Sequence, residues 1–449
     1  MANAPETPEE NRSSPSQHQS TPVAIIGAIG ILLVYQGYSL SIVGVASPWI
    51  AKSFDLNQPQ LAQLFAWMSV SAFGALFLAR MADRIGQRRI ILASLVFTPI
   101  LSVAAAFAPK ALTFTICEIL ISALLGGSVS SAIVVLAEEL PVHQRAAGQA
   151  CAAAASAIGG VLGYILIPFL LSWGHSWRWL LAPCAAGLLL VIPVARMLPA
   201  EGQYSSTKTK EAVVGSRIYD IFHPLYRRRA FGLLSCAALD TMAGTAVNGW
   251  LYFATVSIIG LPPQTASTLV VAGMLFGMLG FPLGAWTSER FGRVPTVAYV
   301  GGAAWFGALA FYWVPSIIVA HSSLILLAAY CWFKIASGVM TVGANSAATE
   351  LFPSALRTTI IGWQGITAAI FSMLAQVLIA MMIGRIGGLA QVIRYFAFLG
   401  FLSAAVFAMF IDETRGLSLQ VAAKEKEWES AQHHPSHHLG LRGHARVQE

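Results

Sequence analysis

The sequence contains little charge. Asp, Glu, Lys and Arg together make up 10% of the 449 residues, whereas hydrophobic residues make up 56%. A soluble globular protein carries about a quarter charged residues, so this chain cannot cover a water-exposed surface with charge. Apolar runs of about 20 residues instead match a helix that crosses the hydrocarbon core of a bilayer. The composition therefore excludes an ordinary soluble protein and indicates a membrane protein.

Motifs that would indicate an enzyme or a pump are also absent. The sequence has no Gly-x-Ser-x-Gly, His-Glu-x-x-His or Gly-x-x-x-x-Gly-Lys-Ser/Thr pattern and no soluble domain to hold one. We expect neither an enzyme nor an ATP-driven pump, and no cofactor or metal. The net charge of +7 comes from basic residues at the ends of apolar runs, so we do not expect a nucleic-acid partner.

Cysteine is scarce, and a cleaved leader is not evident. The five cysteines all lie inside apolar runs, where we expect small buried hydrophobic residues rather than disulfides or metal ligands. Residues 1–21 are polar and lack the basic-then-apolar order of a cleaved signal peptide. The first apolar run is therefore expected to act as its own uncleaved membrane signal.

The apolar runs predict twelve membrane-spanning helices. In the first half they cover residues 23–50, 59–81, 90–108, 111–138, 147–172 and 177–198. In the second half they cover residues 230–258, 264–287, 295–318, 322–350, 358–384 and 389–411. The predicted fold is an all-α membrane protein with two six-helix bundles, 22–198 and 230–411, a linker at 199–229, and tails at 1–21 and 412–449.

The basic residues predict the orientation of these helices. Most arginines, such as Arg88, Arg145, Arg228, Arg293 and Arg357, fall on one side of the predicted membrane. Because lysine and arginine are enriched in cytoplasmic loops, this side is expected to be cytoplasmic. Both termini and the linker would then lie in the cytoplasm, with the chain in the cell membrane.

Two short charged motifs occur once in each half. Residues 79–89 (ARMADRIGQRR) and 284–293 (GAWTSERFGR) share an acid-Arg-x-Gly spacing. Residues 138–145 and 350–357 share a Glu-x-x-Pro-x-x-x-Arg spacing. Two motifs in the same order and at similar spacing indicate parallel six-helix repeats, whose substrate sites lie between the halves near the membrane midplane.

The first motif resembles the loops after helices 2 and 8 of major facilitator superfamily transporters, with Ala79 and Gln87 departing from the usual residues. Residues 177–179 (WRW) and the Glu-Thr-x-Gly at 413–416 resemble the sugar-porter, metabolite-symporter and aromatic-acid-symporter branches. The resemblance implies a monomeric secondary transporter that moves a small solute by alternating access. Helix 1 departs from the aromatic-acid branch, because residues 35–39 (YQGYS) replace an Asp-Gly-Tyr-Asp pattern.

In this family the charged loops form a network that closes the cytoplasmic side in the outward-open state. A few partly buried ion pairs can lock such a two-state interface. The resemblance places twelve residues in this predicted gate: Asp83, Arg84, Gly86, Arg88, Glu138, Arg145, Glu289, Arg290, Gly292, Arg293, Glu350 and Arg357. The alternative is that the arginines serve only membrane topology, which leaves Asp83 and Glu289 without a role.

Three ionisable residues, Glu118, Asp240 and Lys334, fall inside predicted helices 4, 7 and 10. Charge inside a membrane is costly and is usually functional, and in the family these helices line the central cavity. We expect Glu118 or Asp240 to carry a coupling proton and Lys334 to attract an anionic group of the substrate. The alternative is a structural ion pair between Asp240 and Lys334.

Polar and aromatic residues on the cavity helices complete the predicted substrate site. Tyrosine and tryptophan offer an apolar face with one polar atom, which suits a ring-bearing solute. With Asp240 and Lys334, the predicted binding residues are Gln36, Tyr38, Asn248, Trp250, Tyr252, Asn345, Trp363 and Gln364.

The sequence thus predicts a proton-coupled transporter of a small organic anion, such as an aromatic carboxylate. Export of a drug-like compound is the alternative, although helix 5 lacks the Gly-Pro signature of drug antiporters. A membrane receptor that does not transport is a third possibility, and flux measurements would separate it.

Overall fold

The computed structural model describes residues 22–140, 142–198, 219–317, 323–417 and 419–424. Among them, twelve helices are long and apolar enough to cross a membrane. They are α1 (Val23–Ser53), α2 (Gln58–Ile85), α3 (Gln87–Ala106), α4 (Ala111–Leu136), α5 (Cys151–Ser172), α6 (Trp177–Met197), α7 (Arg227–Ile258), α8 (Pro263–Phe291), α9 (Arg293–Trp313), α10 (Ser323–Glu350), α11 (Thr359–Ile386) and α12 (Leu389–Phe410). The predicted all-α fold is confirmed. Most of the predicted linker and tails lies outside the described residues, so the domain boundaries stay a prediction.

A polar cap and two glycines fix where helices begin and turn. Asn57 Oδ1 accepts a 3.0 Å hydrogen bond from the backbone N–H of Gln60, whose side chain accepts one of 2.9 Å from Asn57 N–H. Gly86 alone separates α2 from α3 at φ +104°, and Gly292 alone separates α8 from α9 at φ +105°. Glycine adopts these angles freely, so both copies of the repeated motif form the same tight turn.

Several spans are not purely α-helical. Helix α6 starts with a 3₁₀ segment, Trp177–Ala185, which contains Pro183. Helix α7 ends in a π-helical turn at Ala254–Ile258, and α9 contains another at Thr296–Gly301. Such segments change which backbone carbonyls are free, and they are frequent at functional sites.

The two halves repeat one packing scheme. Helix α1 packs on α5 as α7 packs on α11, and α4 packs on α2 and α3 as α10 packs on α8 and α9. Between the halves, the first part of α2 packs on α11 and the first part of α8 packs on α5. These contacts lie at the end of the bundle where α1 ends and α2 begins, called here the distal end. The end that carries Gly86 and Gly292 is called the basic end.

The buried apolar residues show that the halves meet at the distal end. One large cluster there contains residues of both halves, such as Ile50, Leu61, Trp250 and Ile379. Toward the basic end, one cluster contains residues of the first half only, and another contains residues of the second half only. The core is therefore continuous at the distal end and divided at the basic end.

Candidate functional site

Aromatic side chains from both halves close the distal end. The ring of Tyr252 lies 5.3 Å from that of Tyr164 and 6.2 Å from that of Trp49, and the rings of Phe65 and Trp250 are 5.0 Å apart. Trp250 is fully buried, and its Nε1 donates a 3.1 Å hydrogen bond to Gln376 Oε1 on α11. These five aromatic residues, called the aromatic seal, pack α1, α2, α5 and α7 together near this end.

Lys334 lies inside α10, where α10 packs closely on α8. A Cβ atom on Gly277 of α8 would stand 3.0 Å from Lys334 Cβ. Lys334 follows Ser323 by eleven residues, which places it about 16 Å from the distal start of α10. Its side chain is half-buried and forms no ion pair among the described residues. A cation at this depth is therefore available to an anionic ligand.

Asp240 and Lys334 do not pair in this structure. Asp240 is also half-buried, and no described residue forms an ion pair with it. It precedes the end of α7 at Ile258 by eighteen residues, which puts it about 27 Å from the distal end. Because no ion pair joins these two side chains, the alternative of a structural ion pair has no contact in this structure to support it.

Glu118 occupies a different environment from the other two charged residues. Its side chain is 2% exposed, and its Oε1 has no hydrogen-bond partner among the described residues. It lies within electrostatic range of the Cys184 thiol on α6, inside the first half. Glu118 is thus separated from the space between the halves in this conformation.

The other predicted binding residues lie at several levels rather than in one cluster. Gln36 is fully buried, and its Nε2 donates a 2.6 Å hydrogen bond to Ser128 Oγ on α4. Tyr38 is buried and donates to Leu180 O on α6. The remaining placements are Tyr252 and Trp250 buried in the seal, Asn248 and Asn345 exposed, and Trp363 and Gln364 half-buried.

Trp363 packs toward the basic end, with its ring 5.5 Å from Phe222 and 6.5 Å from Tyr219. The structure therefore places Trp250 and Tyr252 toward the distal end and Trp363 toward the basic end. The binding roles of all these residues stay predictions.

At the basic end of the second half, two of the predicted gate residues, Arg293 and Glu350, form an ion pair. Arg293 Nη2 lies 2.8 Å from Glu350 Oε1 in an ion pair whose side chains are 18% and 16% exposed. Thr414 Oγ1 donates to the other oxygen of Glu350. Glu413 accepts hydrogen bonds of 3.0 and 2.9 Å from the backbone N–H groups of Arg293 and Val294, and so caps the start of α9.

Three other gate residues of this half lie outside that ion pair. Glu289 and Arg290 are exposed, and the Arg290 guanidinium stands over the Trp286 ring at 5.5 Å. Arg357 Nε donates a 3.1 Å hydrogen bond to Phe352 O. Arg357 thus contacts the turn between α10 and α11, and it forms no ion pair with an acid among the described residues.

The first half has a different arrangement at the basic end. Gln87 takes the position that Arg293 has in the second copy, and its Nε2 donates a 3.1 Å hydrogen bond to Asp83 Oδ1. Arg88 Nη2 donates to Ala195 O at the end of α6, and Arg84 is exposed. The side chains of Glu138 and Arg145 lie outside the described residues. Beside them, burial raises the pKa of Glu139 above its ordinary value.

Replacing Glu350 by glutamine is expected to lower the free energy of unfolding by about 1–3 kcal/mol, because it leaves a partly buried arginine without its counterion. Thermal unfolding of detergent-purified protein measures the change. Glu289→Gln is the matched control, since Glu289 is exposed at the same end and forms no ion pair among the described residues. Equal losses in both variants would contradict a specific role for the Arg293–Glu350 pair.

The structure adds contacts to which the sequence assigned no role. The sequence shows the Glu-Thr-x-Gly motif at 413–416. The contacts that Glu413 and Thr414 make with α9 and α10 depend on the packing of α12 and could not be predicted from the motif. Arg229 is 7% exposed and pairs with Asp412, its Nη2 lying 3.1 Å from Asp412 Oδ2. It also donates to Ala422 O at 2.9 Å. The segment after α12 thus stabilises the starts of α7 and α9 through hydrogen bonds and an ion pair.

Comparison with known proteins places the chain among transporters of similar length. The gentisate transporter of Corynebacterium glutamicum is 24% identical over 370 residues, covering 78% of this chain and 80% of that protein. The cis,cis-muconate transport protein of Acinetobacter baylyi is 25% identical over 353 residues, covering 76% and 82%.

The fold is that of solved transporters. The inward-open xylose transporter of E. coli has a TM-score of 0.70 at 16% identity and covers 90% of this chain and 100% of its own. A bacterial homologue of the human lysosomal transporter Spinster, inward-facing and unoccupied, has a TM-score of 0.69 at 16% identity, covering 86% and 96%. The profile of the Major Facilitator Superfamily matches residues 27–376. The chain therefore belongs to the Major Facilitator Superfamily, and it is a multi-pass membrane transporter of small molecules rather than an enzyme.

Proposed function

We propose that the chain transports a small organic anion, most readily an aromatic carboxylate. The observation that carries this proposal is Lys334, which is half-buried inside α10 and has no ion-pair partner among the described residues. An uncompensated cation in a membrane interior is costly unless it meets an anion. The names of the similar proteins agree, since gentisate and muconate are carboxylates.

The surroundings of Lys334 favour a ring-bearing anion. Tyr330 lies one helical turn closer to the distal end on α10, against Gly273 of α8. The Tyr330 ring is 5.9 Å from that of Phe311. A carboxylate at Lys334 would place its ring near aromatic side chains, which offer apolar faces together with hydroxyl groups.

The divided core supports alternating access. Contact between the halves at the distal end, together with separate clusters at the basic end, is the pattern expected of a transporter whose cavity opens toward the basic end. We assign the basic end to the cytoplasm, because arginines are concentrated there. Both termini would then be cytoplasmic, in the cell membrane, and this conformation faces inward.

Coupling to protons completes the proposal, with Glu118 or Asp240 as the proton carrier. Each is a carboxyl group inside a membrane-spanning helix without an ion-pair partner among the described residues. Proton uptake neutralises such a group at low cost. A gradient of protons could then drive accumulation of the anion.

A thermal-shift panel on detergent-purified protein tests the substrate class. Benzoate and gentisate are expected to raise the melting temperature, and tetraphenylphosphonium and D-xylose are not. A ligand that binds only the folded state stabilises it by about 2.7 kcal/mol at a hundredfold excess over its dissociation constant. Stabilisation by the cation alone would overturn the proposal and favour export of a cationic, drug-like compound.

A further inference from the structure

A groove lies between α5 of the first half and α8 of the second half, and we call it the α5–α8 groove. Its volume is about 440 Å³, within the range of about 300–1,000 Å³ typical of small-molecule sites. Three large apolar residues that line it, Ile165, Phe169 and Leu275, are between 40% and 56% exposed. Exposure of such side chains to water is costly, so at this depth of a membrane-spanning helix they contact lipid. Tyr164 also lines the groove, and its ring packs against Tyr252 of the aromatic seal.

Direct contact between α5 and α8 closes the inner end of the groove. A Cβ atom on Gly160 of α5 would stand 3.6 Å from Met274 Cε of α8. Farther out, Pro168 lies inside α5 and lines the groove. Proline kinks a helix because it cannot donate a hydrogen bond to the fourth residue before it. The groove is therefore a gap between the two halves that begins where their contact at Gly160 ends.

The groove extends over the thickness of one leaflet of the bilayer. On α8 its lining runs from Gln264 to Leu275, a rise of about 16 Å. On α5 it runs from Ser172 at the distal end inward to Tyr164, a rise of about 12 Å. Half of the hydrocarbon core of a bilayer is about 15 Å thick. A lipid chain in the distal leaflet thus matches the groove in length.

The outer end of the groove is polar and the inner part is mainly apolar. Ser172 and Thr268 lie toward the distal surface, and their hydroxyls donate hydrogen bonds of 2.8 and 2.9 Å to carbonyls of their own helices. Gln264 is exposed beside them, and its amide can donate to an ester or phosphate oxygen. Farther in, the lining includes Val271 and Leu275. This order of polarity matches a phospholipid, whose polar groups lie at the surface and whose chains point inward.

The groove is a poor site for the proposed substrate. None of the eleven described residues that line it is charged. The hydroxyl of Ser267, deeper in the groove, already pairs with the Tyr252 hydroxyl at 3.0 Å. A carboxylate would find no counterion there, and burying an unpaired charge is costly. The groove therefore suits an uncharged hydrocarbon chain and differs in chemistry from the site at Lys334.

We infer that the α5–α8 groove binds one acyl chain of a phospholipid in the distal leaflet, and that this chain favours the conformation with a closed distal end. The two walls belong to different halves, so the groove exists only while α5 and α8 are packed together there. A ligand that binds one conformation shifts the population toward it by its difference in affinity. Binding of the chain is independent of the proposed function, whereas its effect on conformation rests on the alternating access proposed above.

Photo-crosslinking in nanodiscs tests the binding, with phosphatidylcholine that carries a diazirine on its acyl chain as the probe. Mass spectrometry of the labelled peptides should show at least about fivefold more label in the groove than on the exposed face of α12 at Phe398 and Leu402. Ala272→Trp fills the groove from α8 and Ile165→Trp fills it from α5, so each should abolish this excess. Ala104→Trp is the matched control, because Ala104 is exposed on α3 outside the groove. The two filled variants act from opposite walls, so one suffices if the other does not fold.

Spin labels test the effect on conformation. Labelled noncanonical residues replace Lys110 and Arg385, which are exposed at the distal ends of the first and second halves. Adding phosphatidylcholine to detergent-purified wild type is expected to raise the ratio of short to long distances between the labels about threefold. In Ala272→Trp and Ile165→Trp the ratio should not respond to phosphatidylcholine.

Three results would overturn the inference. They are equal labelling of the groove and of α12, an undiminished excess in the filled variants, and wild-type distances that phosphatidylcholine leaves unchanged. Wild-type dimers that Ala272→Trp dissociates would identify a second copy of the chain as the occupant and would also overturn it. Excess labelling together with a single distance under every condition, gentisate included, would instead count against alternating access and thus against the proposed function.

Discussion

Replacing Lys334 by alanine is expected to weaken the binding of aromatic carboxylates, and with it their stabilisation of the folded protein, by at least about thirtyfold. The lysine is the half-buried cation in α10 to which we assign the substrate carboxylate. Removing one partner of a desolvated charge pair weakens binding by about 2–5 kcal/mol, which is at least about thirtyfold in the dissociation constant. The loss is measured as the shift in melting temperature that benzoate and gentisate produce. The ligand concentration that gives half of the maximal shift should rise by at least about thirtyfold.

Lys110→Ala is the control for Lys334, because Lys110 is exposed at the distal end and should bind no substrate. A second variant addresses the alternative of an ion pair with Asp240. If Lys334→Ala combined with Asp240→Asn restored carboxylate binding to the wild-type level, the lysine would be a structural partner of Asp240. We expect no restoration, since the two groups do not pair here.

Replacing Gly37 by alanine is expected to destabilise the first half severely. A Cβ atom on Gly37 of α1 would overlap Ser156 O of α5, and one on Gly159 would overlap Val34 O in return. Both obstacles are helix backbone, so neither can move aside without separating α1 from α5. Overpacking of this kind costs about 1–3 kcal/mol or more, and we expect a lower melting temperature or loss of folded protein.

Gly30→Ala is the matched control for Gly37, because Gly30 lies on the same helix and a Cβ atom there would have nothing within 4 Å. Alanine at this position should be neutral or slightly stabilising, since it favours the helix over glycine. The measurement is thermal unfolding in detergent, with the yield of monodisperse protein as a second readout. A Gly37→Ala protein as stable as Gly30→Ala would contradict the close contact of α1 and α5.

The sequence predicted the fold well because membrane physics leaves few choices. Long apolar runs must be helices in lipid, and all twelve were located, with boundaries that mostly differ by a few residues. The repeated motif lay at the junction of α2 and α3, where Gly86 has a φ of +104°. Helix ends were less predictable, since α2 continues to Ile85 and α7 begins at Arg227.

The site was only partly predictable, because helix membership does not determine which way a side chain faces. Lys334 and Asp240 stood out as charges in apolar runs, and both are half-buried. Glu118 stood out for the same reason, but it lies within the first half. Its nearness to the Cys184 thiol depends on how the helices pack, which the sequence does not show.

We propose that the chain carries aromatic carboxylates through a site at Lys334. Counterflow of labelled gentisate in proteoliposomes loaded with unlabelled gentisate tests it most directly, because exchange needs transport but no driving gradient. We predict rapid exchange by wild type, its suppression by excess benzoate, and no exchange by Lys334→Ala protein that remains folded. Exchange by Lys334→Ala at the wild-type rate, or none by folded wild type, would contradict the claim.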